Sequence, residues 1–102
     1  MYKLYTMLLL TVLSTPVLAN NHGEALAKTS GCLACHAVDK QVVGPSYQAV
    51  AKKYKGNAKA EAMLVSKVKN GGAGVWGQLP MPPHAHIPEA DIKSIVTWVL
   101  KQ

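Results

Sequence analysis

Gly31-Cys32-Leu33-Ala34-Cys35-His36 is the stretch on which the rest of the chain depends. Two thiols separated by two residues can add to the two vinyl groups on one edge of a single porphyrin. A histidine directly after the second thiol is then held beneath the iron, where its imidazole becomes an axial ligand. The tether keeps that ligand's local concentration high. The same spacing also serves a redox-active dithiol, a disulfide or half of a zinc site. A zinc site needs further Cys or His ligands at suitable spacing, and the chain has no second cysteine pair. A thioredoxin-like dithiol sits in a βαβ context, for which no pattern is found. The motif therefore points to one covalently bound haem c, carried on two thioether bonds from Cys32 and Cys35, with His36 as an iron ligand.

Upstream, Lys3 and the amino terminus precede a mostly apolar run from Leu4 to Leu13, and Pro16 leads into Val17-Leu18-Ala19. Small residues at the third and first positions before a cut suit signal peptidase. Residues 1–19 are expected to be a cleaved signal peptide, and 20–102 the mature domain. The apolar run is shorter than the roughly 20 residues that span a bilayer, so no stable membrane insertion is expected after cleavage. An uncleaved leader kept as an anchor is the alternative. Haem is attached to such cysteines outside the bacterial cytoplasm, so the periplasm is the expected compartment.

The remaining 83 residues form one small domain, a size at which a core closed by side chains alone is marginal. Phe is absent altogether, and a buried porphyrin would supply the missing apolar bulk. Ten lysines stand against five acids in the mature chain, a formal +5, and there is no Arg. With no nucleic-acid motif and no Arg for base readout, nucleic acid is excluded as a partner. A lysine-rich protein meeting acidic protein surfaces fits the charge.

Along the chain the pattern is all-α. Asn20 or Asn21 caps a predicted short helix through about Ser30, with Ala25, Leu26 and Thr29 on one side. Gly31 stops it. A loop from Ala37 to Gly44 follows, and Pro45-Ser46 starts a helix over about Tyr47 to Tyr54. A third helix is predicted from about Lys59 to Asn70, with Ala60, Leu64 and Val68 at four-residue spacing. Gly71-Gly72-Ala73-Gly74 opens a long loop that ends near Ile87. Pro88, Glu89 and Asp91 suit the start of a last helix. In it Ile92, Ile95, Val96, Val99 and Leu100 recur at i, i+3, i+4, i+7 and i+8, the strongest helical signal in the sequence.

Function turns on the second axial position. An open one would allow ligand binding or peroxide chemistry, whereas a protein ligand favours electron transfer. Two methionines remain after the leader. Met63 lies in the third predicted helix and reads as a core filler. Met81 lies in Leu79-Pro80-Met81-Pro82-Pro83, where three prolines forbid a helix and stiffen the backbone around the thioether. Met81 is therefore the expected sixth ligand.

Taken together, Gly31-Cys32-Leu33-Ala34-Cys35-His36-Ala37, Val43-Gly44-Pro45, Gly74-Val75-Trp76-Gly77, Pro80-Met81-Pro82-Pro83 and Trp98-Val99-Leu100 resemble the small class I bacterial cytochromes c of the Pseudomonas type. The resemblance covers nearly all of the mature chain. It implies four helices around one haem, His36/Met81 ligation and a monomeric one-electron carrier rather than an enzyme. It also implies that the Pro45 carbonyl accepts a hydrogen bond from His36, which would fix the ring and make it a better donor. By the same resemblance Trp76 and Lys67 stand near a haem propionate; without it, Trp76 reads equally as apolar packing and Lys67 as a solvated charge. Expected partners are a quinol-oxidising complex (quinol-cytochrome c reductase) as donor, and a terminal oxidase, nitrite reductase or peroxidase as acceptor. The chain departs from the pattern at Lys67, where many relatives carry Arg, and at His84, where many carry Asn. The rival reading is a haem enzyme or gas sensor with a displaceable sixth ligand, using His84 or His86 as an acid or base.

Overall fold

The computed structural model describes residues 10–13 and 22–102. The expected leader, 1–19, and its cleavage point lie outside the described residues except for 10–13. Among the described residues no helix is long and apolar enough to cross a membrane.

Among the described residues four helices follow in order, α1 (His22–Thr29), α2 (Tyr47–Lys53), α3 (Ala60–Asn70) and α4 (Glu89–Val99), with a short 3-10 turn at Cys32–Ala34. Their ends follow local chemistry. The Ser46 hydroxyl accepts from the Ala49 N–H at 3.1 Å and caps α2. Glu89 and Asp91 occupy the positive first turn of α4. Gly71, at φ 75°, takes the chain out of α3.

The apolar stripe of α4 is the spine. Ile95 and Val99 join Ala27, Cys32, Tyr47 and Val50 in one buried cluster. Ile92 and Val96 join Val65 and Ile87 in a second. Helices α1, α2 and α3 each pack on α4, but α2 and α3 do not pack on one another. The space left between them is a cleft.

The predicted face of α1 is wrong. Ala25 and Thr29 are exposed and Leu26 is half-buried, while Gly23 and Ala27 face inward. A Cβ at Gly23 would collide with the Ser94 carbonyl and the Trp98 side chain, so this crossing is built on smallness rather than apolarity. Met63 is not a core filler either. It is 41% exposed on the outer side of α3, because Val65 and half-buried Leu64 and Val68 take the inward positions.

Candidate functional site

Apolar groups from three helices and one long loop line the cleft: Val50 of α2 and Tyr54 of its cap, Leu64 and Val68 of α3, Ile95, Val96 and Val99 of α4, and Val75, Leu79 and Pro80 of the loop. Helix α1 contributes nothing to the lining; it buttresses α4 and the Cys32–Ala34 turn. Cys32, Cys35, His36, Pro45, Lys67, Trp76 and Met81 all lie around this one space. A separate hollow, on the outer side of α3 and α4, holds Glu61, Lys69, Glu89 and Lys93 and none of the expected site residues.

The thiols reach the cleft through one tight turn. Gly31, at φ 80°, leads into the 3-10 turn, and the His36 N–H closes it on the Cys32 carbonyl at 3.1 Å. Side chains three residues apart eclipse in such a turn, which sets Cys32 and Cys35 on one side. No disulfide joins them. Burial pushes the Cys32 thiol up, with a backbone hydrogen bond pulling weakly the other way. A redox-active dithiol needs a depressed thiol, so this environment disfavours that reading.

His36 is held on three sides. Its Nδ1 lies 2.8 Å from the Pro45 carbonyl, which can only accept, so Nδ1 carries the proton and Nε2 keeps its lone pair for a metal. The ring stacks on Tyr47 with centroids 5.2 Å apart and planes 20° from parallel. Gly44 lies against the ring, where a Cβ would collide with the imidazole. Tyr47 in turn meets Trp98 edge-on at 5.3 Å. Its hydroxyl is held well above the ordinary tyrosine range, first by burial and then by the charges Cys32 and Cys35 would carry as thiolates.

Met81 is positioned through its backbone. Its N–H donates to the Gly72 carbonyl at 2.8 Å, and its carbonyl accepts from the Gly72 N–H at 3.1 Å. Gly71 makes this approach feasible, since a Cβ there would come within 2.7 Å of the Met81 carbonyl oxygen. Past the prolines, the His84 N–H donates to the Val68 carbonyl at 2.9 Å and returns the loop to the end of α3. The glycines that open the long loop thus serve as a mooring for Met81.

Part of the lining is polar. Lys67 brings the one cation, with its aliphatic stem against Gly72. Trp76 is 44% exposed at the rim, and the Lys53 ammonium lies 5.4 Å from its ring centroid. Lys53 carries no signal in the sequence that separates it from its neighbours. His84 and His86 do not line the cleft; their rings face each other at 5.9 Å, and the His84 Nδ1 is buried without a partner. An acid or base acting inside the cleft is not to be found in them.

The cytochrome c family model matches residues 21–102. Cytochrome c-551 of Allochromatium vinosum is 59% identical over 75 residues, which cover 74% of this chain and 80% of that protein. Cytochrome c-551 of Pseudomonas aeruginosa is 49% identical over 79 residues, covering 78% and 75%. The crystal structure of Nitrosomonas europaea cytochrome c552 superposes with a TM-score of 0.73 at 44% identity, covering 76% of this chain and 95% of that one.

The chain belongs to the cytochrome c family.

It is a small class I bacterial cytochrome c of the Pseudomonas type, an all-α electron carrier that binds haem c covalently. The residues of the cleft fit that group. Two unjoined thiols lie on one side of an apolar slot, an imidazole nitrogen is left as a donor, and Gly44 keeps room beside the ring. A slot so apolar accepts a porphyrin's faces, while Lys67 and Trp76 offer the donors its carboxylates need.

Proposed function

We propose that this cytochrome c works in the periplasm after removal of residues 1–19, carrying one electron at a time with His36 and Met81 as permanent axial ligands. Bound haem supplies a one-electron Fe(II)/Fe(III) couple. The chain's own contribution is to keep the site unchanged between oxidation states. The observation that carries the reading is the meeting of Cys32, Cys35, His36 and Met81 around one apolar cleft.

Each residue then has a task. Cys32 and Cys35 anchor the porphyrin edge. Pro45 and Tyr47 keep His36 in one tautomer and one orientation. The Gly72 pairing presents Met81, whose soft thioether favours ferrous iron and raises the potential. Lys67 and Trp76 receive a propionate, Lys67 as a point charge rather than the two-pronged clamp an Arg would give. The basic surface suits acidic faces on a quinol-oxidising donor and on an oxidase, nitrite reductase or peroxidase acceptor. The cytochrome acts as a monomeric carrier rather than an enzyme, a reading supported by its membership of a family of electron carriers.

The optical spectrum of the purified ferric protein tests this. A low-spin spectrum with a weak sulfur-to-iron band in the red is expected. A high-spin spectrum with rapid carbon monoxide binding would instead establish an open sixth position and the sensor or enzyme reading.

A further inference from the structure

We propose that Lys53 is a positioning residue of the cleft, its ammonium seated on the Trp76 ring so that Lys53 and Lys67 together hold positive charge over the carboxylate end of the bound haem. This rests on the reading of the cleft as the haem site.

The argument starts from a mismatch in charge. A haem brings two carboxylates, and such groups are not left among valines and leucines without donors. Among the lining residues Lys67 is the one cation, so one carboxylate charge is left over. Among the lining residues Lys67 and the indole N–H of Trp76 offer the donors that such carboxylates need. Lys53 lies outside the lining, yet its Nζ is 5.4 Å from the ring centroid of Trp76, which does line it.

The helix explains why that lysine reaches the rim. Val50 and Tyr54, on either side of it in α2 and its cap, both line the cleft, so Lys53 leaves the helix at the edge of the opening. Lys52 has the same charge and is likewise exposed, but among the described residues no aromatic ring lies under it. Among the described residues no carboxylate of the chain pairs with Lys53; the ion pairs present engage Lys28, Lys69 and Lys93. Its charge is therefore uncompensated by the protein. A ring face beneath an ammonium attracts it and restricts where a long, exposed side chain goes. Trp76 thus does two jobs, donating from its nitrogen and holding a lysine on its face.

The test is the reduction potential of the mature holoprotein at fixed pH and low salt, for Lys53→Gln, Lys52→Gln, Lys53→Arg and for Lys53→Gln in a Trp76→Leu background. Removing a cation near the iron favours the ferric state, so the potential falls. Because the interaction weakens with distance and screening, Lys53→Gln should lower it by about twofold more than Lys52→Gln. Lys53→Arg should restore the wild-type value, and the Lys53→Gln effect should shrink once Trp76 is Leu. Equal shifts at positions 52 and 53, or an undiminished effect in the Trp76→Leu background, overturn the proposal and leave the haem site standing. An intact mass lacking one covalent haem would instead overturn the reading of the cleft, and the proposal with it.

Discussion

On one wall of the cleft the imidazole of His36 is fixed as a side chain: bonded at Nδ1 to Pro45, stacked on Tyr47 and flanked by Gly44. On the other wall only the backbone of Met81 is fixed, by its paired hydrogen bonds to Gly72, and the thioether beyond it keeps its rotatable bonds. The two ligands are nine residues from their respective anchors, so loop length does not separate them. What differs is which atoms are held. The His36 wall sets the direction of a lone pair, and the Met81 wall sets a position within reach. We expect the first to govern assembly and the second to govern chemistry.

Met81→Ala should give the largest functional change that leaves a holoprotein to measure. Haem stays attached through Cys32, Cys35 and His36, while the red band disappears and carbon monoxide or imidazole binds. The potential should fall by on the order of tenths of a volt, within the roughly 0.8 V that axial ligands span. Met63→Leu is the matched control. Since Met63 is 41% exposed and outside the cleft, its spectrum should be unchanged and its stability within about 0.5 kcal/mol. A red band that survives Met81→Ala and vanishes with Met63→Leu would overturn the assignment.

The next contrast separates the anchors themselves. Gly71 has φ 75° and ψ −179°, a conformation close to glycine-only, and a side chain there would press on the Met81 carbonyl. Gly71→Ala should cost about 1–3 kcal/mol and weaken the red band, because the mooring of Met81 shifts. Gly44→Ala presses instead on the His36 ring. It should lower stability while the red band stays, since the Met81 wall is untouched. Denaturant titration and the ferric spectrum of both variants decide the matter; if the two glycines give the same spectral change, the walls are not independent.

These two walls were unequally legible in the sequence. The thiol-imidazole motif and the periodic α4 stripe are local patterns of chemistry and apolarity; the stripe stands in the structure as read, and the covalent haem c that the motif implied agrees with the family. The His36–Pro45 hydrogen bond came from family resemblance and is present at 2.8 Å. What sequence reading missed are positions chosen for having little or no side chain. Gly23 and Ala27 make the α1–α4 crossing, and Gly71 and Gly72 receive Met81. A glycine in a helix or loop announces freedom, not the neighbour that needs its missing Cβ. The exposed Met63 and the Lys53–Trp76 contact were illegible for another reason. Both depend on which helix face is left over once α3 and α2 have been set around the cleft.

The smallest effect should come from Tyr47, and it should appear only in alkali. Tyr47 is 5% exposed, and burial is the first cause of its raised hydroxyl pKa. The thiolate charges that add to the shift vanish once both sulfurs are thioethers, so burial is what remains in the holoprotein. An unfolded tyrosine loses its proton near pH 10. Above that pH the unfolded chain has released a proton that the folded chain retains, so stability falls as pH rises. The contribution is complete below about pH 10 and declines above it, by at most about 1.4 kcal/mol per pH unit until the folded hydroxyl also ionises. Tyr47→Phe keeps a ring to stack on His36 and removes the titration. Lysines and the other tyrosines are common to both proteins and cancel in the difference. Unfolding free energies of holo wild type and Tyr47→Phe should therefore run parallel from pH 7 to about 10, after which the wild type should lose ground. The red band should be unaffected by the substitution at neutral pH, because Tyr47 supports the imidazole and not the thioether. A difference that stays constant to pH 11 would mean that the hydroxyl reaches solvent through the cleft, and the His36 wall would then be wetter than its packing indicates.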